Sequence, residues 1–118
     1  MQWIRVGAAL AALGVAAGAF GAHGLKEQVS PEMLEVWKTG AFYQIVHALA
    51  LVAIGTLATH NKPPPTPIAW LFLIGVLLFS GSLYLLVVTG VKALGAITPI
   101  GGLSFILAWT WLAISTRE

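Results

Sequence analysis

Four stretches of this chain, at about residues 3–22, 39–59, 68–89 and 94–115, are nearly free of charge, and Arg5 is the only Asp, Glu, Lys or Arg inside them. Each reaches the roughly 20 apolar residues that a helix needs to cross the ~30 Å hydrocarbon core of a bilayer. The expected fold class is therefore all-α: an integral membrane four-helix bundle, up-down-up-down, forming a single domain over residues 1–118. The composition agrees. At 58% hydrophobic and 8% charged residues, a chain of this length carries more apolar surface than a small soluble domain can bury, and charge far below the soluble average.

The first stretch has some features of a signal peptide: Arg5 near its start, then an apolar run, then the small residues Ala17-Gly18-Ala19. The run from Val6 to Ala22 is long for a signal core and reads as a span. Gly7, Ala11, Gly14, Gly18 and Gly21 recur at spacings of four and three, a groove of small side chains that lets another helix approach closely. Gly21-Ala22-His23-Gly24 reads as its end.

Residues 25–38 differ sharply in composition. Lys26, Glu27, Glu32, Glu35 and Lys38 lie here, and Ser30-Pro31-Glu32 has the chemistry of a helix start: a hydroxyl cap, proline at the first position, and an acid at the positive end of the dipole. Met33, Leu34 and Trp37 fall opposite Glu32, Glu35 and Lys38. This predicts a short amphipathic helix at about 31–38, lying at the headgroups between spans 1 and 2 with Trp37 as anchor. It either runs into the second span or bends at Gly40. The prolines of residues 63–67 form a stiff linker between the two halves of the chain.

In the third span, Ser80, Gly81 and Ser82 suit close helix contact. The fourth offers Gly95, Gly101, Gly102, Ser104 and Ala108, with its regular helix beginning near Leu94 or, if Pro99 opens it, near Thr98. Gly7, Gly14, Gly18, Gly21, Gly81, Gly101 and Gly102 are the expected helix-packing positions. Trp109 and Trp111 are expected to approach the far interface.

Ionisable and amide groups inside a span are the best pointers to function in such a chain. Gly40, Tyr43, Gln44 and His47 recur at i, i+3, i+4 and i+7 and so share a helix face. The up-down topology then gathers His23, Tyr43, Gln44, His47, Tyr84, Thr89, Lys92 and Thr98 towards one end, which makes a polar pocket at one membrane face the leading expectation. The alternative keeps His47 neutral and bonded across helices, for instance to Tyr84 or Ser82, merely holding register. His23 has its own bland use, bonding free carbonyls at a glycine-rich helix end.

Several chemistries lack their parts. No cysteine or Asp is present, and every Glu (Glu27, Glu32, Glu35, Glu118) lies outside the spans. Serine nucleophiles therefore have no acidic partner, and carboxylate proton coupling is excluded. His23 and His47 alone do not make a zinc site, and a bis-histidine haem would have to spread helices against tight glycine packing. No catalytic residue, metal or cofactor is expected. The net charge of +2 comes from scattered basic residues, so nucleic acid is not an expected partner. The expected partners are membrane lipids, a second copy, or another membrane protein.

The strings G-A-F-G-A-H-G-L-K from Gly18, W-K-T-G-A-F-Y-Q-I-V-H-A-L-A-L from Trp37, F-S-G-S-L-Y from Phe79 and L-G-A-I-T-P-I-G-G-L from Leu94 resemble a domain-of-unknown-function family. That family comprises small four-span membrane proteins, with bacterial inner-membrane and eukaryotic transmembrane-protein-256-like members. The resemblance covers nearly the whole chain and implies four membrane helices; it brings no activity. Location in an inner membrane with both termini on one side follows. Arg5, Lys62 and Arg117 on that side balance Lys26, Lys38 and Lys92 on the other, so only the terminal amine favours a cytoplasmic placement. The leading function is a non-enzymatic binding or accessory role. A small oligomeric transporter or channel is the alternative, supported by any glycine faces left free on spans one and four, and a purely structural partner role is the next.

Overall fold

The computed structural model describes residues 2–60 and 63–116, so Lys62 and Arg117, which enter the charge balance above, lie outside the described residues. Among the described residues there are four long helices, α1 (Trp3–Leu25), α2 (Pro31–Leu57), α3 (Thr66–Thr89) and α4 (Thr98–Ser115), the last preceded by a 3-10 turn at Lys92–Ala96. The long axis of the fold is 50 Å, close to the ~40–45 Å of a bilayer with its headgroups. Outward-facing residues such as Leu13, Phe20, Leu77, Ile106 and Ile114 are exposed. So continuous an apolar exterior is stable only in lipid. This is a multi-pass membrane bundle.

α1 does not end at Gly21. The chain stays helical through it (φ −63°, ψ −45°) to Leu25, with one widened, π-type turn at Ala16–Gly21. Glycine permits a break without compelling one, and in hydrocarbon an interrupted helix would strand backbone groups away from any partner. The indole N–H of Trp37 donates to the carbonyl of Ala17, inside the widened turn, at 2.8 Å. Trp37 is therefore a half-buried tie between α1 and α2.

The start of α2 follows its local chemistry. Ser30 is extended (ψ 157°), its Oγ accepts from the N–H of Met33 at 3.1 Å, and Pro31 and Glu32 occupy the first turn. The amphipathic segment is not a separate interfacial helix. It forms the first two turns of a single 27-residue helix, whose length of about 40 Å exceeds the hydrocarbon core by roughly the span of those turns. Gly40 makes no bend. It is buried where α3 crosses: a Cβ there would come within 3.0 Å of Tyr84 Cε1, and Ser80 Oγ donates to its carbonyl at 2.6 Å.

The linker is shorter than its proline content implies, since Thr66 and Pro67 already belong to α3. Pro67 sits in the first turn, where a missing N–H is not needed. Gly90 ends α3 in the left-handed conformation (φ 72°), its N–H bonded to the Leu86 carbonyl at 2.8 Å. Pro99 likewise sits in the first turn of α4, so the regular helix starts at Thr98 and residues 92–96 coil more tightly before it.

α1 packs on α2, α2 on α3 and α3 on α4, while α1 and α4 do not form a packed pair. Glycines set the close approaches. A Cβ on Gly7 would lie 2.6 Å from the Ala48 carbonyl oxygen and 2.8 Å from the Val52 nitrogen, and one on Gly101 would meet the Phe79 backbone. Gly14 and Gly21 are similarly tight, against Ile45 and the Trp37 ring. Gly18 and Gly102 are looser, with nearest neighbours at 3.5 and 3.8 Å. Gly81 is not a packing position: a Cβ there meets nothing within 4 Å, because the next residues, Ser82 and Leu83, turn towards the neighbouring helices and leave it on the outer side. The dry core lies towards the end shared by the start of α1, the end of α2, the start of α3 and the end of α4, around Trp3, Leu51, Ile68, Phe72 and Ala108.

Candidate functional site

α2 sits between α1 and α3 and also faces the aromatic side chains of α4. Its polar residues divide among those neighbours. Positions 44 and 47 are 60° apart around a helix of 100° per residue. On a helix with neighbours on several sides, that difference is enough to send the two side chains to different partners.

Gln44 is buried and spans three helices. Its Nε2 donates to the Leu10 carbonyl of α1 at 2.8 Å, and its Oε1 accepts from the Tyr84 hydroxyl of α3 at 2.7 Å. The Tyr84 ring stacks at a tilt on Trp37, with centroids 4.6 Å apart. Since Tyr84 OH and Gln44 Oε1 serve one bond, Gln44→Leu and Tyr84→Phe should be non-additive. Each single change is expected to lower stability by roughly 1 kcal/mol, and the double variant should fall short of their sum by about 0.6 kcal/mol. Unfolding titrations in mixed micelles measure this; strict additivity would mean the two groups do not share a bond in the bilayer-folded protein.

His47 belongs to a second cluster. Its Nε2 accepts from the indole N–H of Trp109 at 3.0 Å, and its Nδ1 lies 2.8 Å from the Tyr43 carbonyl. An indole N–H can only donate and a carbonyl can only accept, so the network assigns the proton to Nδ1 and leaves Nε2 as a pure acceptor. The imidazole stacks on Phe105 (centroids 3.6 Å, planes 7° apart), and Tyr43 runs nearly parallel to both rings, 7° from His47 and 13° from Phe105. Neither Tyr84 nor Ser82 bonds His47: Tyr84 is taken by Gln44, and Ser82 Oγ pairs with Thr98 Oγ1 at 2.6 Å.

Beside His47 a groove of about 540 Å³ opens between α2 and α4 onto the lipid-facing side. Tyr43, Val46 and His47 form one wall, and Gly102, Phe105, Ile106 and Trp109 the other, with Phe79 of α3 between them. Its volume lies in the range of ordinary small-molecule sites, ~300–1,000 Å³. Tyr43 and Trp109 stand at the rim, exposed by 37% and 43%, while His47 is 4% exposed.

The expected single polar end-cluster is thus distributed. Gln44 and Tyr84 join α1, α2 and α3; His47 and Tyr43 face α4; Thr98 ties α4 to Ser82. His23 and Lys92 are exposed, in the last turn of α1 and the 3-10 turn before α4, and enter none of these bonds. Among the described residues, no buried side-chain nitrogen or oxygen lacks a partner, and no three His, Asp or Glu side chains gather as a metal set.

Trp109, Phe105 and Phe79 are the residues that sequence reasoning missed. Gly102, Phe105, Ile106 and Trp109 recur at i, i+3, i+4 and i+7, so one face of α4 was legible. Its pairing with Tyr43, Val46 and His47 was not. A tryptophan two-thirds along a span also reads most simply as an interfacial residue.

A family model described as "Protein of unknown function (DUF423)" matches residues 17–102. Similar proteins include the UPF0382 membrane protein YwdK of Bacillus subtilis, 44% identical over 115 residues (96% of this chain, 94% of that one). The UPF0382 membrane protein SAB0533 of Staphylococcus aureus is 46% identical over 114 residues (97% and 93%). A UPF0382 membrane protein of Staphylococcus saprophyticus is 44% identical over 114 residues (97% and 95%). No solved structure matches the chain.

Proposed function

The chain belongs to the DUF423 family of proteins of unknown function, and from that premise we propose that it is a non-enzymatic binding protein of the inner membrane whose α2–α4 groove holds a bilayer-soluble small molecule. The observation that carries this is the groove itself: about 540 Å³, walled by aromatic rings and open to lipid, with one buried acceptor-only nitrogen at its side. Such sites are mostly apolar with a few polar groups that orient the ligand. The binding site is thus an aromatic groove facing the hydrocarbon rather than a polar pocket at the membrane face.

The transporter alternative draws little support from the glycines. Gly7, Gly14 and Gly21 of α1 and Gly101 of α4 are already used within one copy, which leaves no extended glycine face on those helices for pairing.

Gly102→Leu tests the binding reading. A Cβ at Gly102 has its nearest neighbour, a Phe79 ring carbon, at 3.8 Å, so a longer side chain projects into the groove without disturbing the helices. Native mass spectrometry of gently extracted wild-type protein is expected to detect a retained small molecule, and the Gly102→Leu protein to have lost at least about nine-tenths of it, a loss of about 1.4 kcal/mol in binding. Equal retention in a folded Gly102→Leu protein would rule out the groove.

A further inference from the structure

We propose that the groove selects a flat, ring-bearing lipophile carrying a hydroxyl donor, such as a phenol or hydroquinone, and that His47 Nε2 is the atom that recognises it. This rests on the groove being a binding site, and it names the ligand class.

The argument starts from Trp109. Its side chain does what such a ligand would do: it is a flat aromatic ring whose single N–H donates to His47 Nε2 at 3.0 Å. Trp109 is 43% exposed at the rim and otherwise packs edge-on against Phe72 at 4.7 Å, so a ligand that takes its place must turn the ring outward on that open side. His47 is not free. Phe105 stacks on it at 3.6 Å, its Nδ1–H is held by the Tyr43 carbonyl at 2.8 Å, and Phe72 and Trp109 flank it at 5.8 and 5.9 Å. The Nδ1 bond fixes the tautomer, so Nε2 can accept and cannot donate.

When Trp109 turns outward, it leaves a buried acceptor in hydrocarbon with no water to satisfy it. The favoured replacement is a molecule that restores the bond, since an unpaired buried acceptor is penalised more than a made bond gains. The near-parallel Tyr43, His47 and Phe105 rings, drawn from both walls and within 13° of one another, favour a planar ring laid along the groove over a flexible acyl chain. An oxidised, quinone-like ring offers only acceptors and is not matched.

The exchange is one donor for another, so discrimination in the wild-type protein is small and grows when the internal donor is removed. The probes are tritiated para-decylphenol and para-decylanisole, which differ only in whether the ring oxygen carries a proton. Their partition is measured between empty phosphatidylethanolamine vesicles and vesicles containing the full chain. The wild-type protein should prefer the phenol about twofold, and Trp109→Phe, which keeps a ring but loses the donor, about tenfold. His47→Asn, whose amide can still donate to the Tyr43 carbonyl but places no acceptor at the Nε2 position, should show no preference. Should His47→Asn not fold, the rise in preference from wild type to Trp109→Phe carries the test by itself.

Equal binding of both probes in Trp109→Phe overturns the hydroxyl inference. It leaves the groove standing if Gly102→Leu excludes both. Binding of neither probe above the level of empty vesicles, in wild type and in Trp109→Phe, overturns the groove together with the inference.

Discussion

Gly101→Leu is expected to destabilise the bundle by about 3 kcal/mol, while the same change at the next residue, Gly102→Leu, shifts stability by less than about 1 kcal/mol. The two glycines are neighbours on one helix, but Gly101 is buried and Gly102 half-buried, and different groups stand opposite them. A Cβ on Gly101 would press into the Phe79 backbone nitrogen and lie 2.8 Å from the Phe79 Cα and Cβ, whereas one on Gly102 would touch only a Phe79 ring carbon at 3.8 Å. A facing side chain can rotate aside, but a facing backbone can yield only if α3 and α4 move apart. That separation would also stretch the Ser104 Oγ bond to the Leu71 carbonyl, now 2.7 Å. In lipid no hydrophobic force draws apolar helices back together, so close backbone packing carries the association. Helicity followed through a denaturing detergent titration distinguishes the two variants. Equal midpoints would mean that α3 and α4 do not meet at Gly101.

The second large effect is at His47. His47→Ala is expected to cost about 3 kcal/mol, in the range of other ring or large-side-chain deletions from packed interiors. It removes the imidazole stacked on Phe105 and strands the Trp109 indole N–H. Which loss dominates can be decided by magnitude. An interhelical hydrogen bond in a membrane averages ~0.6 kcal/mol, while the cavity left by a buried ring accounts for several times as much. His47→Phe, which keeps an aromatic ring and loses both nitrogens, should therefore recover more than half of the stability lost in His47→Ala. If His47→Phe is as unstable as His47→Ala, hydrogen bonding rather than packing holds α2 to α4. The same pair bears on function, because His47→Phe retains the ring while deleting the acceptor proposed to read a ligand hydroxyl.

Legibility in the sequence followed the range of the interaction. The Ser30 cap, Pro31, the Gly90 stop and Pro99 act within a few residues of themselves, and each marks the helix boundary its local chemistry implies. The tight approaches at Gly7, Gly14, Gly21 and Gly101 were recognisable because small residues at helical spacing have one common use in lipid. Gly81 carries the same local signature and packs against nothing, because only the rotation of α3 decides which face looks outward. The partners of Trp37 and Trp109 are likewise set by neighbouring helices. An indole near a helix end suits the interface when seen alone, and it takes the Ala17 carbonyl or the His47 ring to draw it inward.

By itself, then, the sequence determined that the chain is four apolar helices in a bilayer and that Gln44, His47 and Tyr84 must find partners inside it. Those outcomes follow from transfer of side chains and backbone between water and hydrocarbon, which is a property of each segment separately. Only the tertiary structure decided that Gln44 would take Leu10 and Tyr84, that His47 would take Trp109, and that an aromatic groove rather than a polar pocket would lie beside it. The physical reason is angular. Residues three apart on α2 differ by 60° in direction, and their partners are chosen by where neighbouring helices stand, which no local pattern encodes.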